Sequence, residues 1–415
     1  MEQRQLRSGY TTGTCASAAA KAAAVFLLEK RQPGTVMVHM PEEKVSFWEP
    51  EQGDNGYWQV YKDAGDDPDV TNGTRICAGV FPVEEGEFRK LREHGTGYYL
   101  EAFPKLYLNG GPGIGMVTRP GLSCPVGHYA INPVPRRMIL QAVDEVCRAA
   151  DFQGFLEVRI AVPDGEGLAE KTFNPNLGIM GGISVLGTTG VVEPMSEQAL
   201  VETIRLDIRM RVAAGERTLL MTPGNYGEAF LQEKLGIPLG QAVKCSNFVG
   251  DSVKIAAEEG FLRLLLVGHI GKLIKVTGGV SNTHSRYGDR RMELMGLLAE
   301  EAGAGELLLK KVRAANTTEE ALELLAEQEP AGQKPAEQEL AEQEFARQES
   351  AGQEPVGQGL VAQVMELAAC RGKTQLELWG EGSLKAEVIV FSSSPALIGK
   401  TEQAETFLQL WKGQR

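Results

Sequence analysis

The sequence predicts a two-domain protein in which an N-terminal α+β domain precedes a mostly parallel α/β domain. Three observations lead to this prediction: the length of 415 residues, a change of pattern near residue 150, and an alternation of strand and helix signals beyond that point. A chain of this length can bury two separate cores. The hydrophobic fraction of 42% and the charged fraction of 23% are those of an ordinary globular protein.

The predicted α+β domain covers residues 1–150. An alanine-rich helix is predicted over residues 15–30, and alternating strand-like stretches with many turns follow it. Hydroxyl groups and free backbone N–H groups meet directly before this helix, at Thr11, Thr12, Gly13 and Thr14. They could bind an anion, and an ordinary N-cap at Thr14 is an equally good interpretation.

The predicted α/β domain covers residues 151–325. Its clearest strands are residues 157–162, 218–221, 242–245 and 261–267, and helical patterns follow the last three. This alternation is typical of a parallel sheet. The loops that leave those three strands, residues 222–227, 246–251 and 268–272, are rich in Gly, Asn and Thr. Open α/β sheets bind ligands at this end of their strands.

A segment of low complexity, residues 326–358, interrupts the second domain. It repeats every five residues and contains several prolines, so no helix with an apolar stripe can form, and we expect a flexible insert. Thr317 and Glu320 make a capping box that predicts a helix just before it. Residues 359–415 are expected to complete the α/β domain with a helix over residues 360–370 and a strand.

Composition narrows the class of function. No apolar run approaches the roughly 18 to 20 residues of a membrane span, and no apolar signal core follows the N-terminus. The net charge of −13 argues against nucleic acid as a partner. The six cysteines include no C-x-x-C pair, which favours a reduced, cytoplasmic protein without a metal site of its own. A homodimer is left open.

The glycine-rich stretch 178–193 is the most informative candidate site. Its glycines allow close approach to a ligand, yet it matches neither the dinucleotide nor the P-loop pattern, and a structural turn explains it equally well. Asp63 and Asp66 belong to an acidic run for which a solvated turn is the better interpretation. Two histidines, His269 and His284, stand near two cations, Lys272 and Arg286, without metal-ligand spacing.

A family resemblance rests on six stretches of the sequence: residues 9–15, 62–70, 111–115, 130–136, 187–195 and 267–272. In this order they resemble the CbiD family of cobalt-precorrin-5B C(1)-methyltransferases. The resemblance runs from about residue 6 to 315 and resumes at residues 385–392. The insert departs from the family pattern, and so does His128 with its neighbours, where the family has Glu-Pro.

The resemblance implies a methyl transfer from S-adenosylmethionine to C-1 of cobalt-precorrin-5B, giving cobalt-precorrin-6A in anaerobic cobalamin biosynthesis. It also implies that cobalt is carried by the tetrapyrrole substrate and that the fold is not the usual Rossmann methyltransferase fold. The alternatives are a nucleotide-dependent, kinase-like enzyme and a non-catalytic tetrapyrrole-binding protein.

We assign roles on this basis. Glu193 is predicted to bind the donor's ribose, Thr188 or Thr189 its amino-acid end, and His269 or His284 to act in catalysis. The predicted donor-binding residues are Gly181, Gly182, Gly187, Thr188, Thr189, Gly190 and Glu193. The predicted substrate-binding residues are Thr11, Thr12, Gly13, Thr14, Asp63, Asp66, Arg136, Arg137, Lys272 and Arg286.

Overall fold

The computed structural model describes residues 6–238, 240–327, 359–393 and 396–412. Most of the predicted insert, residues 328–358, lies outside the described residues. The contacts divide the chain into a first unit, Met1–Leu200, and a second unit, Val201–Arg415. None of the described helices is long and apolar enough to cross a membrane.

The first unit combines a six-stranded sheet with short two-stranded pairings. Its helices are α1 (Thr12–Glu29), α2 (Glu85–His94), α3 (Pro133–Ala149) and α4 (Gly165–Ala169). Its strands are β1 (Gly9–Tyr10), β2 (Val36–His39), β3 (Val45–Trp48), β4 (Glu51–Gln52), β5 (Tyr57–Tyr61), β6 (Arg75–Val83), β7 (Tyr98–Tyr99), β8 (Leu106–Gly110), β9 (Gly113–Ile114), β10 (Met116–Val117), β11 (Phe155–Ala161), β12 (Ile179–Met180), β13 (Gly182–Ile183) and β14 (Val191–Val192).

The large sheet of the first unit has the order β4-β5-β6-β11-β8-β7. Helix α1 packs on this sheet and on α3, and its buried alanines allow close approach because their side chains are small. Strand β11 pairs antiparallel with β6 and parallel with β8. The division at Leu200 therefore comes later than the predicted boundary near residue 150, because β11 hydrogen-bonds to strands from the first half of this unit.

The second unit is an α/β structure with helices on both faces of one sheet. Its helices are α5 (Glu197–Ala213), which starts just before the unit boundary, α6 (Asn225–Glu233), α7 (Val249–Glu258), α8 (Ile270–Thr277), α9 (Arg291–Glu301), α10 (Glu306–Ala314), α11 (Thr318–Ala326), α12 (Leu360–Trp379) and α13 (Ala404–Leu408). Its strands are β15 (Thr218–Thr222), β16 (Val243–Lys244), β17 (Arg263–His269), β18 (Lys385–Ser393) and β19 (Ala396–Lys400).

The sheet of the second unit has the order β16-β15-β17-β18-β19. Strand β15 pairs parallel with β16 and β17, β17 pairs parallel with β18, and only the described pairing of β18 with β19 is antiparallel. Buried Leu and Val side chains alternate between the two faces, since successive residues of a strand point in opposite directions. The predicted helix over residues 360–370 continues to Trp379 as α12.

Candidate functional site

The glycine loop, which we define as residues 181–193, lies at the start of α1. The N–H of Gly13 donates to the carbonyl of Leu186 at 3.0 Å, and the N–H of Thr11 donates to Gly190 O at 3.1 Å. The Thr14 hydroxyl donates to the same Gly190 oxygen at 2.7 Å. The structure thus brings together two predicted motifs that are far apart in sequence.

Packing explains two of the glycines in this loop. Gly187 has φ +139°, and a Cβ atom there would overlap the side chain of Thr11. Gly190 has φ +81°, and a Cβ atom there would lie 2.9 Å from Met40 Cγ. Gly181 also has positive φ, yet a Cβ atom there would meet nothing within 4 Å. At Gly187 and Gly190, glycine therefore serves the protein's own close packing.

The start of α1 is buried, and the N–H groups of Gly13 and Thr14 already have acceptors. Thr11, Thr12 and Thr14 are almost completely buried. The N-cap is Thr11, whose Oγ1 accepts from the N–H of Thr14 at 3.3 Å, so the predicted N-cap at Thr14 lies inside the helix. The predicted anion site is filled by the protein's own carbonyl and hydroxyl oxygens, because the glycine loop folds over it.

Three predicted donor residues of the glycine loop expose polar side chains to solvent. Thr188, Thr189 and Glu193 are exposed. The Thr189 hydroxyl donates to the carbonyl of Val191 at 2.9 Å and so closes a local turn. The Thr188 side chain makes no hydrogen bond within the part of the chain that the structure describes. Thr188 and Glu193 are therefore the residues of this loop best placed to contact a ligand.

The acidic run, residues 63–69, contacts the segment that precedes α1. Asp63 forms an ion pair with Arg7 at 2.5 Å, and Asp66 accepts from the N–H of Arg7 at 2.8 Å. The Arg7 guanidinium lowers the pKa of the Asp63 carboxyl by hydrogen bonding to it. Asp67 accepts from the N–H of Met195 at 3.1 Å. Asp63 and Asp66 thus contact Arg7 of the protein itself, in a turn that the sequence predicts to be solvated.

The two arginines at the start of α3 differ in accessibility. Arg136 is buried; its Nε donates to Ile131 O at 2.5 Å, and its guanidinium lies 3.5 Å from the ring centroid of Tyr98. Arg137 is exposed and forms no ion pair within the described residues. Arg137 is therefore available to a carboxylate ligand, whereas Arg136 stabilises the fold through its internal contacts.

The second unit gathers other predicted residues at the carboxyl ends of its parallel strands. Strand β15 connects to β16 on one side of it, whereas β17 connects to β18 on the other side. We call the loops that follow β15 and β17, residues 222–227 and 268–272, the switch-point crevice. They touch each other, because a Cβ atom at Gly268 would lie 3.0 Å from Pro223.

His269 ends β17 and caps α8. Its Nδ1 accepts from the N–H of Gly271 at 3.2 Å, and its Nε2 lies 3.1 Å from Glu319 Oε1. Burial lowers the pKa of the imidazole, and the Glu319 carboxylate opposes this only in part. Both ring nitrogens of this predicted catalytic residue therefore have protein partners, and the neutral Nε2-protonated tautomer fits them.

Lys272 and Thr222 face the same crevice with unused polar groups. Lys272 is half-buried and forms no hydrogen bond or ion pair within the described residues, and burial lowers the pKa of its ammonium group. Thr222 is fully buried, and its hydroxyl has no partner among the residues that the structure describes. The sequence predicts the loop 222–227 as a ligand-facing strand end but does not single out Thr222, since only the folded structure reveals which hydroxyl lacks a partner.

The remaining predicted residues lie on an exposed turn after α8. His284 Nδ1 accepts from the N–H of Arg286 at 3.1 Å, and the Arg286 guanidinium donates to the hydroxyl of Tyr287 at 3.0 Å. Both side chains are exposed. Among the residues that the structure describes, no cluster of three His, Cys, Asp or Glu side chains could hold a metal ion.

Comparison with known proteins assigns the family. Residues 1–194 match the family model described as CbiD, and residues 282–347 match the one described as CbiD, C-terminal domain. The cobalt-precorrin-5B C(1)-methyltransferase of Ruminiclostridium cellulolyticum is 42% identical over 333 residues, or 78% of this chain and 81% of that protein. That of Alkaliphilus metalliredigens is 41% identical over 329 residues, 78% of this chain and 82% of that protein.

A solved structure is also similar. The crystal structure of the cobalamin biosynthesis protein (cbiD) from Archaeoglobus fulgidus is 28% identical and covers 66% of this chain and 80% of that chain, with a TM-score of 0.36. The identity shared with the two curated relatives extends over more than three quarters of the chain. The chain therefore belongs to the CbiD family.

Proposed function

We propose that this protein transfers a methyl group from S-adenosylmethionine to C-1 of cobalt-precorrin-5B and so forms cobalt-precorrin-6A in anaerobic cobalamin biosynthesis. The observation that carries the proposal is the 42% identity, over 78% of the chain, to a relative named for this reaction. The relatives' name favours a methyltransferase over a kinase-like enzyme and over a tetrapyrrole carrier.

The chemistry asks for positioning more than for a covalent catalyst. An electron-rich ring carbon attacks the sulfonium methyl in line, a carbon–carbon bond forms, and S-adenosylhomocysteine leaves as a neutral thioether. Holding the two reactants in this geometry can supply roughly 7 to 11 kcal/mol of the barrier. In this proposal cobalt arrives bound to the substrate, and the protein holds no metal ion of its own.

The donor is placed on the solvent side of the glycine loop. The loop is fixed from behind by Thr11, Gly13 and Thr14, which leaves Thr188 and Glu193 directed to solvent on a rigid support. Thr188 would bind the amino-acid end of the donor and Glu193 its ribose. A rigid support favours this function because little conformational entropy is lost when the ligand binds.

The carboxylates of the macrocycle need cationic partners. Because the net charge of the protein is −13, these cations have to be gathered locally where the macrocycle binds. Arg137, Lys272 and Arg286 are the predicted residues that can meet a ligand. We place the reaction in the cytoplasm, without a membrane or nucleic acid partner, and the homodimer remains a prediction. In this proposal the two units act as the predicted α+β domain and the mostly parallel α/β domain.

The function is tested by incubating the purified protein with methyl-labelled S-adenosylmethionine and cobalt-precorrin-5B. We expect labelled cobalt-precorrin-6A and S-adenosylhomocysteine in equal amounts. Protection of the fold by ATP against heat, without label transfer, would favour the kinase alternative. Binding of the macrocycle without any affinity for the donor would favour the carrier.

The donor placement is tested separately with Thr188→Val. We expect a KM for the donor about 10-fold higher, with kcat little changed, because a hydrogen bond to the charged amino-acid end of the donor is lost. Thr96→Val is the matched control, since Thr96 is an exposed threonine of the same unit outside the glycine loop. Equal donor KM values in both variants would move the donor away from this loop.

A further inference from the structure

The switch-point crevice has the topology of a ligand site. The strand order β16-β15-β17-β18 sends the connections after β15 and β17 to opposite sides. In open α/β sheets this divergence leaves a crevice at the carboxyl ends of the two strands. Open α/β sheets bind ligands at such points. The two helices that begin there, α6 and α8, contribute to the core clusters on opposite faces of the sheet. Their first turns therefore border the crevice from both sides.

Lys272 gives this crevice an uncompensated positive charge. Its side chain is half-buried, and no carboxylate within the described residues forms an ion pair with it. The charged groups that act on it include two further lysines, Lys275 and Lys244. Lys244 is paired with Glu228 of α6 at 2.7 Å, so that carboxylate is already compensated and does not neutralise Lys272. A cation withdrawn from water without a counter-ion is unfavourable, so an anion that enters this crevice gains both charge pairing and a desolvated partner.

Helix α6 adds hydrogen-bond donors at the same place. Gly224 precedes it at φ +101° and supplies no capping side chain, so the first turn of this nine-residue helix presents its N–H groups uncapped. A Cβ atom at Gly224 would lie 3.4 Å from the Lys272 ammonium nitrogen. The ammonium group thus lies over the helix start, where the helix dipole also favours an anion.

Thr222 is the independent sign of a missing ligand. It ends β15 with its side chain fully buried, and its hydroxyl has no hydrogen-bond partner in the described part of the chain, although buried hydroxyl groups nearly always have one. The hydroxyl lies against Gly227 in the first turn of α6, where a Cβ atom would overlap it. The end of β15, the start of α6 and Lys272 therefore place unused hydrogen-bond donors close together.

We propose that the switch-point crevice binds a carboxylate group of a reactant, with Lys272 as its counter-ion and the first turn of α6 as its hydrogen-bond donor. The choice of a carboxylate rests on the proposed function, whose reactants carry this group in two places. The first is the amino-acid end of the donor, and the second is the set of carboxylate side chains on the macrocycle. Tyr226, 74% exposed, and His269 present neighbouring rings, 5.8 Å apart, beside the crevice.

The test compares Lys272→Met with Lys254→Met by titration calorimetry. Lys254 is an exposed lysine of α7, so its variant makes the same change of charge outside the crevice. The probes are S-adenosylhomocysteine, 5′-methylthioadenosine, which lacks the amino-acid end, and cobalt-precorrin-5B. We expect Lys272→Met to weaken one carboxylate-bearing probe at least 10-fold, Lys272→Arg to restore part of that loss, and Lys254→Met to change nothing.

The probes identify the source of the carboxylate. Weaker S-adenosylhomocysteine with unchanged 5′-methylthioadenosine assigns the amino-acid end of the donor to the crevice and takes that role away from Thr188. Weaker cobalt-precorrin-5B assigns a carboxylate of the macrocycle and leaves the donor at Thr188. The inference is overturned if a folded Lys272→Met protein binds S-adenosylhomocysteine and cobalt-precorrin-5B with unchanged affinity. It is also overturned if the wild-type protein binds neither of these two probes. Methyl transfer by the wild type is measured separately. If label is transferred but Lys272→Met leaves the affinities unchanged, only this inference is overturned. If Lys272→Met weakens binding but no label is transferred, only the proposed reaction is overturned.

Discussion

The glycine loop of the first unit and the switch-point crevice of the second are both rich in glycine and threonine, yet they use their polar groups differently. In the glycine loop, Thr11 and Thr14 bond to Gly190, and glycine at position 187 makes room for the Thr11 side chain. In the crevice, the Thr222 hydroxyl and the Lys272 ammonium group have no partner within the described ranges of the chain.

This difference separates two uses of glycine that look alike in sequence. A glycine that meets the protein's own atoms stabilises a turn, whereas a strand end whose buried donors have no acceptor is prepared for a ligand. The inner side of the glycine loop thus supports the fold, whereas the crevice is the proposed binding site. Substitutions at matched positions test this difference.

The largest effect is expected for Gly187→Val. The new side chain would overlap Thr11 at a positive φ, so we expect a loss of about 3 kcal/mol or more in the free energy of unfolding, and with it the loss of donor binding. Gly181→Val is the control, since it has positive φ but open space, and should lose only about 1 to 2 kcal/mol. Urea unfolding measures both. Equal losses would show that packing against Thr11 is unimportant.

Thr14→Val should have the next largest effect. Its hydroxyl donates to Gly190 O and is fully buried, so valine removes an internal hydrogen bond without leaving a cavity. We expect the free energy of unfolding to fall by about 1 to 2 kcal/mol. Thr188→Val, at an exposed threonine of the same loop, should leave the urea midpoint unchanged. A stable Thr14→Val protein would contradict the support role.

His269→Ala should cost about 1 kcal/mol at pH 8, because the N-cap of α8 is lost. Burial lowers the pKa of His269 in the folded state, so the folded protein binds the proton less tightly than the unfolded chain. The stabilising contribution is therefore complete above the unfolded pKa of about 6.5 and is lost as the pH falls through the folded pKa.

The difference in urea midpoint between wild type and His269→Ala should accordingly shrink from pH 8 to pH 5. A difference that grows on acidification would mean that the pair with Glu319 dominates and that the imidazole is held in its charged form. Either result decides whether this histidine can also accept a proton during the reaction, because the capping bond from Gly271 requires an unprotonated Nδ1.

Local patterns predicted most individual elements. Strands at residues 218–221 and 261–267 and the helices after them appear as β15, β17, α6 and α8. Thr317 caps α11 as predicted, although the Glu320 carboxylate accepts from the N–H of Asn316, one residue earlier than a capping box requires. Such features depend on residues close in sequence, which is why the sequence alone reveals them.

Long-range features were not predictable in the same way. Strand β11 belongs to the first unit because it pairs with β6 and β8, and nothing in its own residues specifies these partners. The anion site predicted at Thr11 to Thr14 is closed by the carbonyl groups of Leu186 and Gly190, distant along the chain. Whether a donor is free depends on such partners, so the site needs the folded structure.

The smallest effect is expected for Thr222→Val, and it is the sharpest contrast with Thr14→Val. Both threonines are fully buried, and in both variants a methyl group replaces the hydroxyl. Within the described residues, the Thr14 hydroxyl has a partner to lose and the Thr222 hydroxyl has none. Removing an unsatisfied buried hydroxyl should leave the ligand-free protein as stable as the wild type or more stable by up to about 1 kcal/mol. Urea unfolding of the two variants side by side measures this; a loss at Thr222 as large as that at Thr14 would mean that its hydroxyl is satisfied in solution and that the crevice holds no unused donor there.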